Sequence, residues 1–333
     1  MSKAAELAAL IGSQTAQTNR NMLINGAMQV SQRSASVASI TSTGYQTLDR
    51  FNLLVESIGT WTMSQDTDVP SGQGFAKSLK IDCTTADASP AVADRIFLRQ
   101  TLEGQDLQRM KKGTDNAESV TLSFWVKATK TGTHIVNLYD NDNARVIAQA
   151  YTVSSSNTWE HKSLTFAGDT TGAFDNDNAG SMQIVWGLGC GTNHSSGTLQ
   201  TTWASASNVN RFVGQVNTAD STDNNWAITG VQLEIGDVDT AFENEDYGTT
   251  LAKCQRYYET LPQHTGSFSV IATYRAGSDY REEWMFKVTK RANPTAGGSQ
   301  SAGPSATYIS TDMISYYHTA DFYGGALTAD AEL

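Results

Sequence analysis

Short runs in which large apolar side chains occupy every second position dominate the middle of this sequence. The clearest is SVTLSFWVK at residues 119–127, where every second residue from Val120 to Val126 is apolar. Such alternation is the pattern of a β-strand with one buried face. Five further runs predict strands in the same way, namely His134–Tyr139, Val146–Val153, Lys162–Phe166, Met182–Leu188 and Trp226–Ile235.

Clusters of Gly, Asp and Asn separate these runs and mark the positions of turns. They are Lys130-Thr-Gly132, Asp140–Asn143, Gly168-Asp169 and Asp175–Asn178. Short strands at this spacing predict a mainly β protein with an antiparallel sandwich of the jelly-roll type. No helical pattern alternates with the strands, so the sequence argues against a nucleotide-binding α/β sheet.

The N-terminal segment has a different periodicity. Ala4, Leu7, Ala8 and Ile11 lie at positions i, i+3, i+4 and i+7, which predicts one apolar stripe on a short helix. A helix of about ten residues is marginal in water by itself, so we expect this stripe to dock on something. Its partner is either the chain's own domain or, as we favour, sister chains or a larger particle.

A second helical pattern follows the sandwich. Tyr247, Leu251, Cys254 and Tyr258 fall on one face of a predicted helix over residues 246–260. The remaining residues predict a small C-terminal β-sandwich, with strands at Ser267–Tyr274, Glu283–Lys290, Tyr308–Ser310 and Met313–Tyr317 and turns at Gly297-Gly298 and Gly324-Gly325. The predicted organisation is a docking helix (1–20), a jelly-roll domain (21–243), a linker helix (244–262) and a C-terminal β domain (263–333).

Charge and composition exclude several classes of protein. The chain has 23 Lys and Arg against 34 Asp and Glu, a formal net charge of −11, which argues against binding nucleic acid or inserting into a membrane. No apolar run approaches the ~20 residues that span a bilayer, and the N-terminus lacks the apolar core of a signal peptide. Three cysteines cannot all pair, so we expect synthesis in a reducing compartment.

A set of motifs spread over nearly the whole chain carries a family resemblance. NMLINGAMQVSQR at 21–33 is followed by Asp49-Arg50-Phe51, and TGVQLEIG at 229–236 is followed by Phe242-Glu243, Tyr247-Gly248 and CQRYY at 254–258. RANPT at 291–295 and TADAEL at 328–333 complete the series. In this order the motifs resemble the tail-fibre and virion-appendage proteins of tailed bacteriophages. Met22, Ala27 and Met28 depart from the family, which more often has Leu, Asp and Phe there.

The resemblance implies a carbohydrate-binding-module-like jelly roll in a trimeric virion appendage, made in the host cytoplasm without a signal peptide. We therefore expect a tail fibre that attaches to other phage tail or capsid proteins through its N-terminus and adheres to a host-surface glycan through its β domains. Two alternatives are a capsid decoration or head-fibre protein without a host ligand and a polysaccharide-degrading enzyme.

The sequence shows no recognisable catalytic centre. It has no GxSxG and no HExxH motif, and the five histidines lack metal-ligand spacing. We therefore expect no enzymatic activity, no cofactor and no metal. The Asp140–Asn143 and Asp175–Asn178 tracts are interpreted as turns, with calcium binding through their oxygens as the alternative.

Aromatic residues are the candidate ligand contacts. Trp125, Trp186 and Trp203 are possible glycan platforms, and Trp125 is the best of them because it lies on the outward phase of its strand. An interface between subunits is the alternative role for an outward Trp. Tyr316, Tyr317, His318 and Phe322 form an aromatic-rich segment that either makes a distal tip or packs the last strands.

Overall fold

The computed structural model describes residues 19–261, 272–276, 279–298, 305–318 and 326–333. The chain divides into two compact units, one that ends at Glu245 and one that runs from Asp246 to Leu333. Each unit has its own sheets and its own hydrophobic cluster. Within the described ranges, no helix is both long and apolar enough to cross a bilayer.

The first unit is made almost entirely of strands. They are β1 (Ser36–Ile40), β2 (Asn52–Glu56), β3 (Thr60–Asp66), β4 (Ser78–Thr85), β5 (Arg95–Glu103), β6 (Val120–Ala128), β7 (Gly132–Asp140), β8 (Arg145–Val153), β9 (Glu160–Phe166), β10 (Gly180–Cys190), β11 (Ala204–Ser205) and β12 (Asn225–Ile235). The short helix α1 (Gly104–Leu107) and 3-10 turns at Gln108–Met110, Thr192–His194, Asn208–Asn210 and Thr218–Asp220 lie in the connections.

These strands form two antiparallel sheets that pack as a sandwich. The first sheet has the order β1-β3-β4-β12-β6-β9, and the second has the order β11-β8-β7-β10-β5-β2. Side chains from both sheets meet in one core. Phe124 of β6, for example, contacts Tyr151 of β8 and Trp186 of β10 edge to face, with ring centroids 5.2 and 6.1 Å apart.

The period-two pattern explains which face of each strand is buried. In β6, Leu122, Phe124 and Val126 are fully buried, whereas Trp125 and Lys127 lie half-exposed on the other face. The predicted β-sandwich and all six strands predicted within it are confirmed. Strands β1 to β5 and the two-residue β11 were missed; the run NLLVE in β2, for example, does not alternate.

The second unit combines one helix with two small antiparallel sheets. Its elements are α2 (Tyr247–Gln255), β13 (Tyr258–Leu261), β14 (Ala272–Ala276), β15 (Asp279–Met285), β16 (Thr295–Gly298), β17 (Ser305–Ile309), β18 (Met313–His318) and β19 (Leu327–Asp330). The sheet orders are β13-β19-β16 and β14-β15-β18-β17. One hydrophobic cluster, which includes Trp284, Ile314 and Leu327, draws on both sheets.

Three predictions in this unit need correction. The helix ends at Gln255 rather than near residue 260, because Tyr258 already pairs with Asp330 in a sheet. Gly297-Gly298 is not a turn but the end of β16, paired with β19. The strand predicted over residues 283–290 ends at Met285. Parts of two further predictions, the strand at 267–274 and the turn at 324–325, lie outside the described residues.

Candidate functional site

A groove of about 450 Å³ lies on the outer face of the first sheet, with Trp125 in its lining. Trp125 pairs with His161 of β9 on one side and Thr229 of β12 on the other. Its indole points away from the core because Phe124 and Val126, its neighbours along β6, are buried between the sheets. The Trp125 and His161 rings lie 5.2 Å apart between centroids, with their planes tilted by 53°.

One wall of the groove is the segment that follows β12, residues 237–244. Two polar side chains on the outer phase of β12 hold it. Glu234 accepts hydrogen bonds from the backbone N–H of Thr240 at 2.9 Å and from its hydroxyl at 2.7 Å. The carbonyl oxygen of the Gln232 side chain accepts from the backbone N–H of Glu243 at 2.8 Å. Both side chains are buried, so the TGVQLEIG motif fixes this wall beside Trp125.

The N-terminal end of the sandwich holds the same wall from the other side. The carboxylate of Glu243 accepts hydrogen bonds from the backbone N–H groups of Asn19 and Asn21, at 2.7 and 2.8 Å. Arg20 donates to the backbone oxygen of Ala241 at 3.1 Å and to the hydroxyl of Thr240. The motif that begins at Asn21 and the Phe242-Glu243 step therefore meet at this wall, although they are far apart in the sequence.

A pair of phenylalanines gives the groove further aromatic surface. Phe75, from the loop between β3 and β4, packs edge to face on Phe242 with centroids 5.1 Å apart. Phe75 reaches this position because residue 230, at the bulge of β12, is a glycine with φ of +61°. A Cβ there would lie 2.5 Å from the Phe75 ring, so a larger residue would displace Phe75.

The remaining lining is polar and hydrogen-bonding. It consists of Gln73, Ser123, Asp239, Thr240 and Asn244, with the backbone at Ala241. The imidazole Nδ1 of His161 lies 3.9 Å from a carboxylate oxygen of Asp239. Among the described residues that line the groove, none is Lys or Arg and only Asp239 is acidic. Aromatic surface edged by amides, hydroxyls and one carboxylate suits an uncharged, hydroxyl-rich ligand.

The other two tryptophans proposed from the sequence lie elsewhere. Trp186 is fully buried against Phe124 in the core, so its assignment as a possible glycan contact is wrong. Both faces of β10 are covered, which the alternation alone did not reveal. Trp203 is half-buried, donates its indole N–H to the backbone oxygen of Ala167 at 2.8 Å and packs against the core. It does not belong to the Trp125 groove.

The proposed distal-tip residues have different environments. Tyr316 is only 4% exposed and packs in the core of the C-terminal unit, so its assignment to an exposed tip is wrong. Tyr317 is half-buried on β18. The backbone of His318 ends β18, while its side chain and all of Phe322 lie outside the described residues. The predicted docking helix, with Ala4, Leu7, Ala8 and Ile11, also lies outside them.

The Asp140–Asn143 tract forms a turn, the Asp175–Asn178 tract lies in a bend, and a hydrogen bond joins the two. Asp140 begins the β7–β8 turn and accepts hydrogen bonds from the backbone and side-chain nitrogens of Asn143, both at 3.0 Å. Asp142 accepts from the backbone N–H of Asp175 at 3.0 Å. The second oxygen of Asp140 lies 2.6 Å from the ammonium of Lys112, and both side chains are buried. The ammonium of Lys112 therefore neutralises Asp140 at the place where the calcium hypothesis would put a metal ion.

Lys112 is the centre of a buried ionic network. Its ammonium also contacts Asp169 at 3.2 Å and donates to the backbone oxygens of Thr171 and Gly172, at 2.9 and 2.6 Å. Burial alone would raise the pKa of Asp169, but hydrogen bonds from Arg145, the Thr171 amide and Lys112 outweigh it and lower that pKa. The network ties β7, β8 and their loops together.

Sequence reasoning identified Trp125 but missed the residues that turn it into a groove. His161 was available as a signal, since it lies on the outward phase of β9 within the predicted sheet. Phe75, Asp239 and Phe242 come from irregular segments. No periodicity marks such residues, and only the hydrogen bonds that position their backbone bring them beside Trp125.

No protein-family model matches the chain, and no curated protein sequence matches it. Among solved structures, the enzymatically active domain of tailspike protein 4 from bacteriophage CBA120 is 16% identical over 65% of this chain and 21% of that one, with a TM-score of 0.33. The family 11 carbohydrate-binding module of a Clostridium thermocellum cellulase is 10% identical over 62% of this chain and 99% of its own, with a TM-score of 0.30. The N-terminal cellulose-binding domain of Cellulomonas fimi β-1,4-glucanase C is 10% identical, covers 63% of this chain and 100% of its own, and has a TM-score of 0.30. These likenesses are distant, so a functional conclusion must rest on the groove itself.

Proposed function

We propose that this protein is a bacteriophage virion appendage that binds a neutral host-surface glycan in the Trp125 groove without cleaving it. The observation that carries the binding proposal is the half-exposed indole of Trp125, flanked by His161 and faced by the aromatic and amide-bearing wall of residues 237–244. An aromatic ring can stack on the apolar face of a pyranose, while Gln73 and Asn244 can bond its hydroxyl groups.

The composition of the lining supports binding rather than hydrolysis. Glycoside hydrolysis generally uses two carboxyl groups that flank the scissile bond. Asp239 is the single carboxylate among the described residues of the groove. An open aromatic site on a rigid sheet is suited to adhesion, in which several weak contacts act together when several copies are present.

The virion part of the proposal rests on the resemblance of the motifs to phage appendage proteins. Two of those motifs, Asn21–Arg33 and Thr229–Gly236, pack against each other and hold the groove wall, which gives them a shared structural purpose. In the proposed virion, the chain is a homotrimer and the apolar stripe of residues 4–11 attaches it to other tail or capsid proteins.

A glycan array tests the binding proposal directly. The full-length protein should bind one or more neutral glycans, Trp125→Ala should lose that signal, and no shortened oligosaccharide should be released. Released oligosaccharide would instead make the protein a polysaccharide-degrading enzyme. Absence of glycan binding together with tight binding to empty capsids would replace adhesion by a decoration role.

A further inference from the structure

The outer face of the second sheet carries two arginines that form no ion pair with the residues the structure describes. Arg99 on β5 and Asn137 on β7 both pair with Val185 of β10, so they flank it on the same face. Two strand spacings separate them, roughly 10 Å. Arg211, from the loop that covers part of this face, donates to the side-chain oxygen of Asn137 at 3.1 Å. Arg99 and Arg211 therefore lie near one another on the same face of this sheet, beside the buried Val185.

Packing holds the guanidinium of Arg211 but leaves hydrogen-bonding capacity unused. It lies 4.7 Å from the ring centroid of Tyr139 and 5.5 Å from that of Phe212, which is itself stacked on Phe97. Among the described residues, the guanidinium of Arg211 forms a single hydrogen bond, to Asn137. Its buried Nε has no hydrogen-bond partner among those residues. The aromatic contacts fix the position of the cation without neutralising it.

The guanidinium of Arg99 also has unused hydrogen-bonding capacity. Its Nε donates to the side-chain oxygen of Asn52 at 3.1 Å, and its terminal nitrogens form neither a hydrogen bond nor an ion pair with the residues that the structure describes. The amide nitrogen of Asn137, which is completely buried, also lacks a partner within those residues. Around Arg99 and Arg211, several N–H groups thus have no acceptor among the residues that the structure describes.

Neighbouring groups confirm that the missing counter-charge is a local feature. Arg95, which lies on the same face of β5 with Phe97 between it and Arg99, pairs with Glu56 at 2.6 Å and bonds His194 at 2.8 Å. Burial, followed by repulsion from Arg95 and Arg99, lowers the pKa of Arg211 to about 10. Elsewhere in the same unit the buried Lys112 has two carboxylate partners. Although the chain has 34 acidic residues, none of those that the structure describes forms an ion pair with Arg99 or Arg211.

We infer that Arg99 and Arg211 form a binding site for an oxyanion, a carboxylate or phosphate group carried by a small ligand. Guanidinium groups match both oxyanions because their parallel N–H groups can bond two oxygens at once. The site lies on the sheet opposite to that of the Trp125 groove. It is therefore independent of the proposed glycan binding.

Titration of the full-length protein with small probes tests this inference. Sodium glucuronate and inorganic phosphate supply the two oxyanions, and glucose is the neutral counterpart of glucuronate, all at constant ionic strength. Isothermal titration calorimetry should show saturable binding of at least one anion, even if only near the ~1 mM affinity of a weak site. Binding of one anion alone identifies which group the natural ligand carries. Saturable binding of neither anion would overturn the inference.

Substitutions assign the binding to these side chains. Arg99→Gln and Arg211→Gln should each weaken anion binding at least tenfold, whereas Lys111→Gln, which removes an exposed cation paired with Glu118, should leave it unchanged. If Arg211→Gln fails to fold, the half-exposed Arg99→Gln decides the matter. Anion binding that survives Arg99→Gln, or that falls equally in Lys111→Gln, would contradict the assignment. None of these changes should alter glycan binding in the Trp125 groove.

Discussion

The side chain of Asn21 accepts a hydrogen bond from the backbone N–H of Leu233 at 3.0 Å, although 212 positions separate the two residues. The same side chain donates to the backbone oxygen of Val231 at 3.0 Å, and the backbone N–H of Met22 donates to the oxygen of Leu233 at 2.8 Å. Asn21 thereby fastens the start of the sandwich to the bulged strand β12. That strand in turn carries the Gln232 and Glu234 side chains which hold the groove wall.

Replacing Asn21 by Ala should therefore destabilise the first unit. The change removes one acceptor and one donor from backbone groups of β12, and an unpaired buried backbone group costs about 1–3 kcal/mol. Urea unfolding followed by far-UV circular dichroism should show a clearly lower midpoint. Asn193→Ala, at an exposed position in the same unit, is the matched control and should leave the midpoint in place.

The Lys112 network gives a larger expected effect. Lys112→Met leaves Asp140 and Asp169 buried without their shared cation, which should cost about 3–5 kcal/mol of unfolding free energy. The adjacent Lys111 pairs with Glu118 at the surface, so Lys111→Met should cost less than about 1 kcal/mol. Similar losses in the two variants would mean that the buried network contributes no more than a surface pair.

Two buried histidines predict how stability depends on pH. Burial lowers the pKa of His134 and of His194 to about 4, and the positive charges of Arg95 and Arg211 add to the effect at His194. The unfolded chain, in which these groups titrate near 6.5, therefore binds protons more readily than the folded chain. Their contribution to stability is fully present above pH 6.5 and is lost as the pH falls from there towards 4.

Urea midpoints measured across this pH range should decline in the native protein, and the decline should be shallower in His194→Gln. Asn193→Ala, which leaves both imidazoles in place at an exposed neighbouring position, should retain the native slope. An unchanged slope in His194→Gln would show that this imidazole does not resist protonation in the folded state.

Gly230 links backbone conformation to the shape of the groove. Gly230→Ala places a Cβ in a left-handed conformation and 2.5 Å from the Phe75 ring, so it should both destabilise the fold by about 1–3 kcal/mol and weaken ligand binding. Gly72 is the matched control, because its φ is +74° and a Cβ added there would have no neighbour within 4 Å. It should reproduce the backbone strain alone, with glycan binding intact by the same array assay.

The sandwich was predictable because its central strands bury one face and expose the other. β6 shows this most clearly, since the same alternation that buries Phe124 turns Trp125 outward. Strand β10 shows the limit of the argument. Trp186 is in phase with Met182, Ile184 and Leu188, which share the core with it. Both faces of the strand are covered, so a tryptophan in it does not mark an exposed platform.

The groove was only partly predictable for a related physical reason. Asp239 and Phe242 lie in an irregular segment whose path is set by hydrogen bonds to Glu234 and Gln232, and such long-range bonds leave no periodic signal. The turn at Asp140–Asn143 was recognised from composition. Its buried partner Lys112 was not, because nothing in the local sequence indicates that a lysine will be drawn into the interior.

The most direct test of the account is the dissociation constant of a neutral glycan identified on the array, measured by calorimetry for the native protein, Trp125→Ala and Trp159→Ala. Trp159 is another half-exposed tryptophan of the first unit, and its indole N–H bonds Asp68 at 3.0 Å outside the groove. We predict at least tenfold weaker binding, about 1.4 kcal/mol, for Trp125→Ala and native affinity for Trp159→Ala. Native affinity in Trp125→Ala would contradict the assignment of the groove as the glycan site.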